Sequence, residues 1–178
     1  MGRNEPADSS FGRPWNRLAP IAAARRGAFP VTVEDCVLLD LPKVVDHRGN
    51  LTYIEATRHV PFEVRRVFYI YDVPTGESRG GHAHRTLHQF LICLSGSFDV
   101  EIDDGISQRV HHLNRPWRGL YVPPLIWARE SNFDPGTVCL VLTSDFYEES
   151  DNIRDYALYR SLLDECGECG ECGASPLP

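Results

Sequence analysis

Between Val31 and Leu142 the chain is a series of short apolar runs broken by turn residues at intervals near ten residues. That spacing leaves no room for long helices and favours strands packed as an all-β sandwich or barrel. The runs carry the period of two that half-buried strands require. Asn50 to Glu55 alternates, Val64 to Tyr71 is rich in β-branched and aromatic residues, and Gln89 to Leu94 is almost wholly apolar. Ser97-Phe98-Asp99-Val100-Glu101-Ile102 alternates strictly and meets Asp103-Asp104-Gly105, a hairpin signal leading into Ser107 to Leu113. Gly119 to Val122 ends on Pro123-Pro124, and Thr137 to Thr143 closes the series. A single segment, Asn152 to Leu163, has helical spacing, through Ile153, Tyr156, Ala157, Tyr159 and Leu163.

A length of 178 residues is the size of one domain. The expected division is a disordered arm over residues 1–30, a β domain with its terminal helix over 31–163, and a flexible Cys-rich tail over 164–178. Glu5, Asp8 and the prolines at 6, 14, 20 and 30 suit a disordered leader better than a transit peptide. A net charge of −7 argues against a dedicated nucleic-acid binder, which must neutralise phosphates over a broad basic face. The longest apolar stretches, such as Val138 to Leu142, fall far short of the roughly 20 residues a membrane helix needs. Cys36, Cys93 and Cys139 sit in apolar surroundings and read as buried thiols of a reducing compartment. With no secretory signal at the start, the expected location is the cytoplasm. Cys166, Cys169 and Cys172 form C-x-x-C-x-x-C, a spacing able to hold zinc or an iron–sulfur cluster. Only three thiolates are supplied and no His follows, so a solvated, redox-sensitive tail is the expectation.

The segment from Gly76 to Gly96 carries the chemistry. In a strand, His82 and His84 project to one side and Ala83 to the other. Two imidazoles on one face beside a Gly-rich turn point to a site. The run resembles the first cupin motif, G-x5-H-x-H-x3–4-E-x6-G, read as Gly76, His82, His84, Gln89 and Gly96. The second motif is echoed by Pro123 to Asn132. In metal-binding cupins two His, a Glu and a later His are the four ligands. Here Gln89 stands at the Glu position and Ala128 at the last His position. A neutral amide is a weak ligand and a methyl group is none, so no metal is expected and the two His become acid–base candidates.

Within the cupins the closer resemblance is to the sugar 3,4-ketoisomerases of the FdtA/WxcM-like group. It rests on Asp46-x-Arg48-Gly49-x-Leu51, Arg66-Val67-Phe68-Tyr69-Ile70, Arg79-Gly80-x-His82-Ala83-His84, Gln89-x-Leu91-Ile92, Gly96-Ser97, Asp103-Asp104-Gly105, Gly119 to Pro124 and Ile153-Arg154-Asp155-Tyr156, in order over roughly residues 35–160. The resemblance implies a cupin jelly-roll barrel with a short C-terminal helix and disordered termini, forming a homodimer. It implies action on a dTDP-linked 4-keto-6-deoxy sugar, moving the ketone from C4 to C3 through an enediol in deoxysugar biosynthesis, with no cofactor. Carried onto this chain, His84 is expected to transfer the carbon-bound proton and His82 to protonate oxygen, although the two roles can be exchanged. Tyr69, Arg79 and Gln89 are expected to meet the sugar, and Arg48 and Arg66 the diphosphate. At Ala128 the group commonly carries Arg or His. Its replacement, with Arg129 next door as a substrate-binding candidate, leaves both product configurations at C4 open. Two other readings stand beside this one: a metal-dependent cupin oxygenase or isomerase, and a nucleotide-sugar-binding cupin without catalysis. Trp117 and Trp127 are open between stacking on a base and packing, and Arg154 is expected to anchor the helix.

Overall fold

A computed structural model describes residues 31–169. Two five-stranded antiparallel sheets face each other. The first runs in the order β1 (Val37–Asp40), β9 (Arg118–Val122), β6 (Gln89–Ser95), β11 (Val138–Thr143) and β4 (Arg66–Tyr71). The second runs β12 (Asn152–Ile153), β5 (Arg79–His84), β10 (Trp127–Ser131), β7 (Phe98–Asp103) and β8 (Gln108–Leu113). A separate hairpin joins β2 (Lys43–Asp46) to β3 (Gly49–Thr52). This is a two-sheet all-β arrangement, as the strand spacing predicts, and the jelly roll that the family resemblance implies.

The alternation read in the sequence sorts side chains between two environments. Leu91, Cys93, Leu120, Val122, Cys139 and Val141 of the first sheet meet Phe98, Val100, Ile102, Leu113 and Ala128 of the second, and form the main core. The intervening residues of the first sheet, Phe90, Ile92, Tyr121 and Leu142, bury instead against Leu41, Val60 and Phe62 on its outer face. A sheet covered on both faces accounts for the continuous apolar run of β6, which departs from strict alternation. Cys36, Cys93 and Cys139 are free, buried thiols, as read.

The helix differs from expectation. Asn152 and Ile153 pair with His84 and Ala83 as a short edge strand, so helix α1 begins only at Tyr156 and continues to Cys169. Asp155 Oδ1 accepts hydrogen bonds from the backbone N–H groups of Ala157 (2.7 Å) and Leu158 (3.1 Å), which caps the first turn. Backbone helix therefore extends into the segment read as a flexible tail. Residues 1–30 and 170–178, including Cys172, lie outside the described residues. The helix is held by Tyr159, fully buried with Ala83 and Ile153, whose hydroxyl donates to the Asp103 (2.8 Å) and Leu125 (3.0 Å) carbonyls. Burying an aromatic body while satisfying its polar tip contributes ~2–3 kcal/mol. It also clamps the outer face of β5, the strand that carries the histidines.

Candidate active site

Strand β5 sets the site by alternation. Ala83 points outward into the helix contact, so His82 and His84 must point inward. They line a cavity of about 680 Å³ shared by β4, β5, β6, β10, β11 and the segment from Tyr147 to Arg154. The two Nε2 atoms are 3.2 Å apart, with the rings edge to face at 82°. On its far side His84 places Nδ1 3.0 Å from Asp151 Oδ2. Asp151 is itself held: its Oδ1 accepts from the Thr86 backbone N–H and hydroxyl, both at 2.8 Å.

That chain of contacts assigns the tautomers. A carboxylate only accepts, so His84 carries its hydrogen on Nδ1 and leaves a bare lone pair on Nε2. His82 then donates from Nε2 to that lone pair, and its own Nδ1 has no hydrogen-bond partner among the described residues. Burial holds both imidazoles below their ordinary range. His84 is pushed down to about 4, by burial first and its His82 neighbour second, against the raising effect of Asp151. Burial likewise lowers His82. Two neutral, hydrogen-bonded imidazoles at neutral pH, one oriented by a carboxylate, form a base whose Nε2 lone pair accepts the His82 N–H at the cavity wall.

Around this pair stand groups suited to an anionic, polyhydroxylated ligand. Arg66 enters from β4 between the rings of Phe68 (5.2 Å) and Tyr147 (5.3 Å), and its buried Nε lacks a hydrogen-bond partner among the described residues. Gln89 lies across the sheet in register with Thr143, which pairs in turn with Arg66. Arg79 and Gly80 flank Glu130 toward the other end, and Arg154 borders the cavity while paired with Glu149 at 2.9 Å.

The model of the family described as FdtA, WxcM-like, C-terminal, matches residues 34–164. The chain belongs to this family. A curated relative, the TDP-4-oxo-6-deoxy-α-D-glucose 3,4-oxoisomerase of Aneurinibacillus thermoaerophilus, is 40% identical over 126 residues, covering 71% of this chain and 91% of that one. Among solved structures, a His-to-Asn variant of a 3,4-ketoisomerase from Thermoanaerobacterium thermosaccharolyticum, in complex with TDP-4-keto-6-deoxyglucose, matches with a TM-score of 0.72 and 38% identity, over 73% of this chain and 94% of that one. A TDP-quinovose 3,4-ketoisomerase from Campylobacter jejuni matches with a TM-score of 0.68 and 42% identity, over 71% of this chain and 97% of that one.

Of the residues that the WxcM-like resemblance singled out, the structure gathers His82, His84, Arg66, Arg79 and Gln89 around one cavity. Two others, Arg129 and Arg48, are placed elsewhere. Arg129 follows the inward-facing Ala128 by one residue, so alternation turns it to the outer face, where it donates to Glu101 at 2.6 and 3.0 Å. Arg48 sits in the exposed turn between β2 and β3, bound to Asp46 at 2.8 and 3.1 Å, away from the cavity of its own chain. Tyr69 is also among the residues lining the cavity, although it alternates with the inward Phe68 and Ile70 and is 57% exposed. Trp127 packs against Tyr156 and Tyr159 of the helix, and Trp117 lies under Lys43 and Arg115. Neither lines the cavity. Arg154, read as a helix anchor, lines it.

Asp151, Asn152, Tyr147 and Glu130 were not singled out from sequence. Asp151 lies two residues before the Ile153-Arg154-Asp155-Tyr156 motif, which is the one local signal that places it near the site. A metal ion is a poor fit to this donor set. Two Nε2 atoms at 3.2 Å can reach a shared ion, but Ala128, opposite His82 in register, offers no donor and Gln89 offers a neutral amide. Among the described residues no cluster of three or more His, Cys, Asp or Glu is placed to hold one.

Proposed function

We propose that the chain is a sugar-nucleotide 3,4-ketoisomerase, moving the ketone of a dTDP-linked 4-keto-6-deoxyhexose from C4 to C3 in deoxysugar biosynthesis. The observation that carries this reading is the His82–His84–Asp151 array inside a cavity bordered by Arg66. The 3,4-ketoisomerase activity named for its relatives supports it.

The C4 carbonyl acidifies the hydrogen on C3. His84 Nε2 takes that proton, the electron pair becomes the C3–C4 double bond, and the C4 carbonyl electrons move to oxygen. Once His84 Nε2 takes the proton it no longer accepts from His82, whose Nε2–H is released to the oxygen where charge develops. Protonated His84 then returns a proton to C4 while the O3–H bond electrons form the new C3 carbonyl and the O3 proton passes to O4. No redox group enters, because the oxidation of C3 and the reduction of C4 are the same electron pair. Arg66 supplies the fork for the diphosphate. Gln89 and Arg79 orient the sugar.

The enzyme is proposed to be a cytoplasmic homodimer. Val67, Tyr69 and Tyr71 project from the edge strand β4, and Val44, Val45 and Leu51 from the β2–β3 hairpin, all 48% or more exposed. Apolar side chains concentrated on one strand and one projecting hairpin suit burial against a second copy, which would also remove the edge of β4 from solvent.

The test is purified protein with dTDP-4-keto-6-deoxyglucose in deuterated water, followed by proton NMR. A 3-keto product carrying deuterium at C4 is expected, with the rate unchanged after chelation. Absence of both product and carbon exchange sinks the reading. Activity lost on chelation and restored by one metal returns the metal-dependent alternative, and tight ligand binding without exchange returns the non-catalytic one.

A further inference from the structure

The isomerisation moves two protons, one from carbon to carbon and one from oxygen to oxygen. His84 handles the first. The second needs a group that gives a proton to O4 and recovers one from O3. Resting on the ketoisomerase reading above, we propose that Glu130 is that group, a catalytic carboxylic acid that carries the oxygen-bound proton and leaves His82 as a hydrogen-bond donor.

Geometry places it. Glu130 and Ala128 share the inward face of β10, and both line the cavity with His82 and His84. Ala128 lies in register with His82 and Glu130 with Arg79. Glu130 is 6% exposed. Its carboxyl lies over Gly80, the residue two before His82, and a methyl group added to Gly80 would stand 2.6 Å from Glu130 Oε2. Gly80, at a positive φ of 72°, thus leaves the space the carboxyl occupies. Two residues along a strand span ~6.6 Å, about the breadth of a sugar ring, and that span separates Gly80, beneath the Glu130 carboxyl, from His82, whose Nε2 lies 3.2 Å from that of the base His84. With only a methyl group at Ala128, nothing on β10 stands between Glu130 and the two histidines.

The protonation state agrees. Burial pushes Glu130 up to about 7, offset only by its own backbone N–H. The groups around it do not compete near neutrality. Arg79 and His82 face it from β5, the latter held low by burial. Cys139 of β11, which feels its charge, is raised by burial, and Cys93 of β6 is raised to about 11. On the β7 side its neighbour is the apolar Val100.

The protons and electrons balance. As His84 removes the C3 proton, the carboxylic O–H of Glu130 protonates O4, giving a neutral enediol and a carboxylate. As His84 returns its proton to C4, the carboxylate removes the O3 proton and the O–H electrons form the C3 carbonyl. Both groups end as they began. One carboxyl suits the task because its two oxygens meet two neighbouring oxygens of a planar enediol.

The experiment compares wild type, Glu130→Gln and Glu130→Asp over pH 5–9, measuring kcat, KM and deuterium exchange at C3 of recovered substrate. Glu130→Gln keeps size and a donor but carries no transferable proton. Its kcat is expected to fall about 100-fold, in the range of one acid–base group, with KM within about twofold and exchange reduced less than turnover. Wild type should lose kcat as pH rises through about 7, a limb that Glu130→Gln lacks and Glu130→Asp, partly active, retains. Glu130→Gln within threefold of wild type, an unchanged pH profile, or equal impairment of the Gln and Asp variants overturns the assignment. Each of those results requires an active wild type, so failure here is distinct from failure of the ketoisomerase reading, which shows as an inactive wild type.

Discussion

Nδ1 of His84 lies 3.0 Å from Oδ2 of Asp151, a residue 67 positions later in the chain. One contact decides which nitrogen of the imidazole is free to act, because the carboxylate takes the Nδ1 hydrogen and leaves Nε2 bare. Asp151 acts through His84 and is a positioning residue.

Replacing Asp151 by Asn keeps the volume but allows the amide to donate to Nδ1, which favours the tautomer with hydrogen on Nε2. We expect kcat to fall by about 100-fold or more with KM nearly unchanged. Steady-state kinetics with the dTDP sugar reads this. A variant within threefold of wild type refutes the tautomer argument, and a parallel rise in KM assigns Asp151 to binding instead.

The low position of His84 has a signed consequence for stability. Its folded value is about 4 against 6.5 for the free group, so between those values the unfolded chain binds the extra proton and stability falls as pH is lowered. The full loss below pH 4 is ~3 kcal/mol. Urea denaturation at pH 7 and pH 5 should show part of this loss, and His84→Asn should flatten it. The base itself should persist, with exchange at C3 still measurable at pH 5, where an ordinary imidazole is mostly protonated. An identical pH dependence of stability in wild type and His84→Asn contradicts the burial argument.

Arg66 and Arg129 separate binding from surface charge. Arg66→Ala should raise KM for the dTDP sugar by about 10–100-fold, equivalent to ~1.4–2.8 kcal/mol. Arg129→Ala, which breaks only the outward pair with Glu101, should stay within about threefold. Equal effects at both positions would falsify the inward and outward assignment of the two arginines.

The exposed face of β4 gives a prediction independent of catalysis. Tyr69→Arg puts a charge in the centre of the apolar stripe, and light scattering after gel filtration should find wild type at twice the chain mass and the variant shifted toward monomer. A monomeric wild type at micromolar concentration removes the dimer from the account.

Much of the fold was legible because strand signals are local. The runs at Gln89–Leu94 and Phe98–Ile102, and the Asp103-Asp104-Gly105 turn, each declare themselves within a few residues, and the matching strands are Gln89–Ser95 and Phe98–Asp103. The helix starts later than its spacing predicts because Asn152 and Ile153, the latter part of the apolar stripe, are taken by pairing with His84 and Ala83. Tertiary context overrode a weak helical stripe.

By itself the sequence determined that His82 and His84 share a face, because a strand has a period of two whatever it packs against. It also determined that Gln89 and Ala128 stand where metal ligands are usual. Only the tertiary structure decided that Asp151 orients His84, that Glu130 enters the same cavity, and that Arg129 points away from it. Those relationships depend on how strands distant in the chain pair across the sheets, and a register shift of one residue would reverse every one of them.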